Sequence, residues 1–229
     1  MKFRRKSKKK SSGLESLVNR GLMEATKPIF ENINKLMAYY RCAIMEVETK
    51  LNVLNEQFSL QYDRNPISSI QTRLKRMDSI SEKLAKDDLP MTLQSMEENL
   101  NDIAGVRVIC SFPEDVYMIA DALLSQDDIT LISKKDYIRE PKTNGYRSLH
   151  LIVTVPIFLA DEKRLMKVEI QLRTIAMDSW ASLEHEMHYK REGENRALIA
   201  AELKRCADDL ASCDLSMQTI RNLIRKEEV

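Results

Sequence analysis

The sequence predicts an α+β fold, a mixed sheet of about five strands flanked by long N- and C-terminal helices. Three observations carry this. Apolar runs of strand length, such as VRVI (106–109) and LHLIVTVPIF (149–158), are separated by stretches of helical periodicity. Val168, Ile170 and Leu172 alternate strictly with Glu169, Gln171 and Arg173, the period of a strand with two unlike faces. Apolar residues step by three and four over residues 29–58 and again beyond Asn195, the period of long amphipathic helices.

The chain divides into a basic terminal segment (1–13) expected to be disordered, N-terminal helices (14–62), a core (63–191) and a C-terminal helix (192–229). In the first helical region Phe30, Ile33, Met37, Tyr40, Ile44, Val47, Leu51, Leu54 and Phe58 form a narrow seam, and Pro28 fits its first turn. Asn65–Pro66 ends it. Residues 67–76 read as a short strand and basic loop. Ser79 and Glu82 have capping-box spacing ahead of a helix. Met91–Leu100 reads as a helix, and Val106, Val108 and Ile109 mark a buried strand. A charged Arg107 inside that strand is costly to bury unless it faces a cleft or an acid. A helix from Pro113 to about Ser125, strands at 129–134, 148–157 and 165–173, and a helix at 175–190 complete the core. The last three strands suit antiparallel neighbours. In the C-terminal helix Ile199, Leu203, Cys206, Leu210, Cys213, Met217, Ile220 and Ile224 form a second seam, long enough to suggest self-association.

Composition narrows the function classes. Hydrophobic content of 43%, 31% charge and only five Gly in 229 residues describe a helix-rich globular protein. No apolar run approaches the ~18 residues of a membrane span. The basic start is not followed by the apolar region of a secretory signal, so a cytoplasmic protein is expected. The first ten residues hold seven basic groups and no acid, so the remainder is net acidic. Such a block is a solvated tail or a nucleic-acid arm. The cysteines (Cys42, Cys110, Cys206, Cys213) have no metal-site spacing and read as small buried apolar residues of a reducing compartment.

The chemistry gathers in DYIREPKTNGYRSLH (136–150) and on the polar face of 168–173. Two carboxylates, Asp102 and Glu169, would share one side of the sheet with Arg73, Lys75, Arg107, Lys142 and Arg173, and with the rings of Tyr146 and His150. Lys83 would join Arg73 and Lys75 around a helix N-terminus, a setting that suits an anion. Few protein carboxylates among phosphate-binding cations suit Mg²⁺. A second carboxylate could accept a hydroxyl proton, and an exposed Tyr could stack on a base. The reaction class implied is phosphoryl or pyrophosphoryl transfer. Plainer roles remain open for each: a salt bridge for Asp102, a solvated strand face for Glu169 and Arg173, packing for Tyr146 and His150. No P-loop or Rossmann glycine motif is present.

RLKRMDSISEKL, DIAGVRVI, DYIREPKTNGYRSLH and VEIQLRTIAMDSWASLEHEMHYK resemble, in order, the synthetase domain of the RelA/SpoT family over about residues 67–190. The short chain is similar to that family's small alarmone synthetases. The resemblance implies a nucleotidyltransferase-like fold and transfer of the β,γ-pyrophosphate of ATP to the 3′-hydroxyl of GTP or GDP. By motif it implies Asp102 as magnesium ligand, with Glu169 as the acid acting on that hydroxyl and a further possible ligand. Arg73, Lys75, Lys83 and Arg107 match the ATP side. Lys142, Tyr146 and His150 match the GTP side, with Gln171, Arg173, Glu184 and His185 in further family blocks. It also implies a homotetramer and, in some relatives, regulation by an alarmone or RNA. His150, His185 and His188 are followed by Leu, Glu and Tyr, so the His-Asp metal motif of the family's hydrolase is missing, and the length leaves no room for ribosome-sensing domains. The alternatives are a toxin-like relative that pyrophosphorylates tRNA or ATP, and a non-catalytic nucleotide- or RNA-binding regulator.

Overall fold

A computed structural model describes residues 8–62, 64–188 and 196–227, with side chains described for 27–61, 64–187 and 197–225. Helix α1 (Lys8–Tyr62) leads to strand β1 (Ile67–Leu74), helices α2 (Met77–Lys86) and α3 (Leu93–Asn99), and strand β2 (Ala104–Cys110). Helix α4 (Pro113–Leu124), strands β3 (Thr130–Asp136), β4 (Leu149–Phe158) and β5 (Lys163–Thr174), and helices α5 (Ile175–His188) and α6 (Arg196–Glu227) follow. The sheet order is β1-β2-β5-β4-β3. β2 and β5 run parallel, every other pair antiparallel, so the last three strands are the expected antiparallel neighbours.

The two faces of the sheet follow from the alternation in sequence. Val106 and Val108, Leu149 to Val155 at every second position, and Val168, Ile170 and Leu172 are 0–1% exposed. They face α1 and α4, and the opposite face of the same strands carries the polar residues. From Met37 to Phe58 every residue of the first seam is buried, so that seam covers the sheet, although Phe30 nearer its start is exposed. Trimming a fully buried member such as Leu51 to Ala costs about 2–5 kcal/mol, for lost transfer energy and the cavity left behind.

Four expectations are corrected. Pro28 lies inside α1 rather than in its first turn. The helix starts at Lys8, so residues 8–13 of the basic segment are helical while 1–7 lie outside the described residues. The capping box does not form: α2 starts at Met77, with Arg76 at the N-cap and no side-chain cap bond. The Lys75 N–H is held by the Ile103 carbonyl (2.8 Å) and the first helical bond, Ile80 N–H to Arg76 O, follows at once, leaving Ser79 within the first turn. A side-chain cap does form one helix later, where Thr92 accepts from the Ser95 N–H.

The fourth correction concerns α6. Cys206 and Cys213 are exposed rather than buried. Met217, Ile220 and Ile224 of the second seam are exposed too, while its Leu203 is buried together with Ala207, Asp214 and Gln218, which lie outside the seam. The polar members of this face have partners, although Arg221 Nε is buried without one: Thr174 donates to Asp214 (2.5 Å), Gln218 bonds the backbone and carboxylate of Glu114, and Arg221 pairs with Asp115. Asp115, 1% exposed, is gripped from the other side by two bonds from Arg64, between α1 and β1. Helix periodicity identifies a stripe but not which stripe turns inward when polar residues find partners there.

Candidate active site

Strand register lays the polar face out in rows. Gln71, Arg107, Gln171, His150 and Lys135 stand opposite one another across all five strands. The adjacent row holds Arg73, Gly105, Glu169, Ile152 and, on β3, Ser133. An open cavity of about 290 Å³ lies over the β1–β2–β5 end of these rows, lined by Gln71, Arg73, Gly105, Arg107, Glu169 and Gln171 among others. Gly105, in the middle of it, carries no side chain, and so the floor between Arg73 and Glu169 stays low.

At the mouth of β2, Asp102 receives Lys75 Nζ at 2.7 Å and Lys83 Nζ at 2.8 Å, one on each carboxylate oxygen. Both lysines, expected around the α2 N-terminus, therefore converge on this acid. Burial pushes the Asp102 carboxyl up, but the hydrogen bonds and charges of the two lysines outweigh it and hold it below the usual range. Glu169 shows the same contest. Burial raises it, the His150 ring lowers it, the Asp102 charge raises it, and Gln171 lowers it, with a net depression. His150 Nδ1 stands 3.6 Å from Glu169 Oε1, an ion-pair distance too long for a hydrogen bond, whereas Gln171 Nε2 donates to Glu169 at 3.2 Å.

On the other side of Glu169 is an aromatic and cationic cluster. Tyr146 Oη accepts from Arg173 Nη2 (2.6 Å) and meets His150 Nε2 at 2.8 Å. With the imidazole neutral and its proton on Nδ1, Tyr146 donates to Nε2 and the Nδ1–H points towards Glu169. Tyr137 packs edge-on to both rings. Lys142 Nζ sits 4.7 Å from the Tyr137 ring and 4.8 Å from the Tyr146 ring, and the Arg173 guanidinium lies 5.1 Å from the latter. Arg173 itself is 4% exposed. It shares Asp178, in the first turn of α5, with Arg107, and also donates to Gln171.

The predicted site residues thus fall into three adjoining groups. Arg73, Arg107, Gln171 and Glu169 line the cavity. Asp102, Lys75 and Lys83 stand at its mouth. Lys142, Tyr146, His150 and Arg173 form the aromatic cluster. Glu184, half-buried, and His185, exposed, lie further along α5. Sequence reasoning missed Tyr137, Gln71 and Asp178. Asp178 lies five residues beyond Arg173, across a strand-to-helix junction, and no strand or helix period links the two. Tyr137 directly follows β3, and only the fold brings it back beside Tyr146.

A cleft with hard carboxylate oxygens between two sets of cations, one backed by aromatic rings, defines a protein that handles charged nucleotides. The model of the region found in RelA and SpoT proteins matches residues 72–194. The GTP pyrophosphokinase YwaC of Bacillus subtilis (strain 168) is 38% identical over 199 residues, 87% of this chain and 95% of the relative. A second GTP pyrophosphokinase of that strain, YjbM, is 32% identical over 85% of this chain and 90% of the relative. The crystal structure of small alarmone synthetase 1 from Bacillus subtilis, bound to its product pppGpp, superposes with a TM-score of 0.76 at 32% identity, covering 85% of this chain and 99% of that one. This chain belongs to the RelA/SpoT family.

Proposed function

We infer that the chain is a monofunctional GTP pyrophosphokinase, which transfers the β,γ-pyrophosphate of ATP to the 3′-hydroxyl of GTP or GDP to yield pppGpp or ppGpp. The observation that carries this reading is the position of Glu169, between the Arg73–Arg107 cavity on one side and the Tyr146–His150 cluster on the other. The family's hydrolase chemistry is not assigned to this sequence, whose three histidines have no Asp after them.

In this reading the triphosphate of ATP lies along Arg73 and Arg107, with Lys75 and Lys83 at its end, and these cations neutralise the charge that spreads over the moving group. The acceptor purine stacks at Tyr146, where Lys142 now covers the ring, and His150, Arg173 and Gln171 fix the ring and the sugar. Glu169 accepts the proton of the 3′-hydroxyl. Its depressed proton affinity keeps it ionised at neutral pH, and the nearby Asp102 charge opposes further depression.

Asp102 and Glu169 fit a magnesium ion. Both offer hard oxygen, and they are close enough for the charge of one to alter the proton affinity of the other. Among the described residues no group of three or more His, Cys, Asp or Glu is placed to hold a metal, and magnesium is commonly held by one or two carboxylates with phosphates and water. Held by Asp102 and Glu169, such an ion would supply positive charge to offset that of the phosphates. Asp102 would then exchange part of its lysine contacts for the ion.

The exposed apolar stripe of α6 supports self-association, with the tetramer of the family resemblance as the expected state. Among the described residues no helix is long and apolar enough to cross a membrane, and we place the enzyme in the cytoplasm, where both nucleotides are supplied. Regulation by an alarmone or an RNA is compatible with the basic N-terminus, whose residues 1–7 lie outside the described structure.

Incubation of purified protein with ATP, Mg²⁺ and labelled GTP or GDP tests the reading. A 3′-pyrophosphorylated guanosine product supports it. Labelled deacylated tRNA with no such product would establish the toxin-like alternative, and nucleotide binding without turnover would establish the regulator.

A further inference from the structure

The segment that carries Tyr146 is a closed turn seated on α6. Lys142 N–H donates to the Tyr146 carbonyl (3.2 Å), Gly145 N–H to the Lys142 carbonyl (2.8 Å), and Tyr146 N–H to Asn144 Oδ1 (3.1 Å). Gly145 has φ +91°, a conformation that side chains rarely adopt. It also has no room for one. A Cβ there would stand 2.6 Å from Ala207 Cβ and 3.4 Å from Lys204 Cα, so loop backbone rests directly on helix backbone.

Polar and apolar contacts reinforce that seat. Arg147 donates to Asp208 on α6 (3.2 Å) and to the Ile138 carbonyl (3.3 Å), joining both ends of the 138–147 loop to the helix. Tyr146 packs with Trp180, Leu203 and Ala207 in an apolar cluster separate from the main core. Trp180 Nε1 donates to the Leu203 carbonyl (2.8 Å), locking α5 to α6 at the same level. The position of the Tyr146 ring is therefore set from behind by α6, while its hydroxyl is set from the front by Arg173 and His150.

We propose that α6 is the positioning element for acceptor binding: Ala207 and Asp208 seat Gly145 and Arg147, and through them hold Tyr146 where the acceptor purine stacks. The proposal rests on the reading of Tyr146 as the acceptor-site aromatic. Ala207 and Asp208 touch neither the cavity lining nor Glu169, so they should govern acceptor affinity and leave the ATP side alone.

The test is a set of steady-state measurements on the full chain, with KM for GDP and for ATP determined separately. Ala207→Val, which pushes methyl groups at Gly145, should raise the KM for GDP about tenfold, since displacements near 1 Å cost up to a hundredfold. The KM for ATP should stay within about twofold. Asp208→Asn, which removes the charge from a half-exposed ion pair, should raise the KM for GDP about two- to fivefold, and Asp208→Glu should restore it. Equal rises in both KM values, a fall in kcat alone, or no change would overturn the proposal. Tyr146→Ala separates the two levels. If it raises the GDP KM while Ala207→Val and Asp208→Asn do nothing, the positioning role fails and the site reading stands. If Tyr146→Ala leaves the GDP KM unchanged, the site reading fails and the proposal with it. Should Ala207→Val not fold, the Asn and Glu variants at 208 decide.

Discussion

Asp178 accepts from Arg173 at 3.1 Å, and the same oxygen lies 3.4 Å from Arg107, so one carboxylate on α5 neutralises guanidinium groups from two parallel strands. The two cations face each other: burial, and next to it the Arg173 charge, lowers the proton affinity of Arg107. Removing the acid leaves Arg173 buried and uncompensated. Asp178→Ala should therefore destabilise the nucleotide-free protein by about 3 kcal/mol, the lower end for a broken buried pair because Asp178 is partly exposed. A triphosphate beside Arg107 can replace part of the missing negative charge. Thermal unfolding with and without a non-hydrolysable ATP analogue should show a larger ligand-induced rise in Tm for the variant than for the parent. Equal rises would mean that the ATP phosphates do not approach Arg107.

Glu169→Gln separates chemistry from structure. The amide keeps the size of the carboxylate and can still accept from Gln171, yet it cannot take up a proton. Positioned proton acceptors typically contribute ~10²–10⁴-fold to rate, so kcat for pyrophosphoryl transfer should fall by about that factor. Stability should fall only modestly, because the unfavourable burial of this charge offsets most of what His150 and Gln171 contribute, leaving only a net depression of its proton affinity. Full activity in the variant would remove Glu169 from the mechanism.

The rows that join Arg73 to Glu169, and Arg107 to Gln171 and His150, were half legible in the sequence. Alternation in 168–173 states that Glu169, Gln171 and Arg173 share a face, and strand burial states which face is apolar. Neither states which strands become neighbours. The parallel β2–β5 pair joins residues more than sixty positions apart, and no local period encodes that. Arg107 was recognisable as a charge in an apolar strand that needed a cleft or an acid, and it has both. Asp178 was not, because its partners are fixed by the turn from β5 into α5. On α6 the apolar stripe was legible but the face that docks was not, because apolar spacing says nothing of Asp214, Gln218 and Arg221, whose partners on Thr174, Glu114 and Asp115 exist only in the folded chain.

The exposed stripe of α6 has a measurable counterpart in assembly. Met217, Ile220 and Ile224 are each about half exposed on one stripe of α6, while the adjoining stripe holds the helix to the core. The self-association proposed for this stripe predicts that Ile220→Glu gives a smaller particle without unfolding it, since a carboxylate buried in an apolar interface has no partner. Light scattering should report a smaller mass and circular dichroism an unchanged helix content. An unchanged mass would place the interface elsewhere.

Asp214 provides a pH signature for the docking of α6. Its carboxylate is 9% exposed and takes a 2.5 Å bond from Thr174, whose oxygen also caps α5 by accepting the Met177 N–H. Burial pushes the carboxyl up, the Thr174 bond pulls it back only in part, and the net proton affinity is raised. The folded chain therefore binds this proton more tightly than the unfolded chain, whose Asp titrates near 3.9. The stabilising contribution is complete below the unfolded value and is lost as pH rises through the folded one. At neutral pH the parent holds a charge that burial disfavours, whereas Asp214→Asn holds none and still offers Thr174 an acceptor oxygen. The variant should thus have a Tm equal to or above the parent at pH 7, with that advantage vanishing below about pH 4, where the parent carboxyl is also neutral. A variant less stable at pH 7 but not at pH 4 would show that the charged bond to Thr174 outweighs the burial.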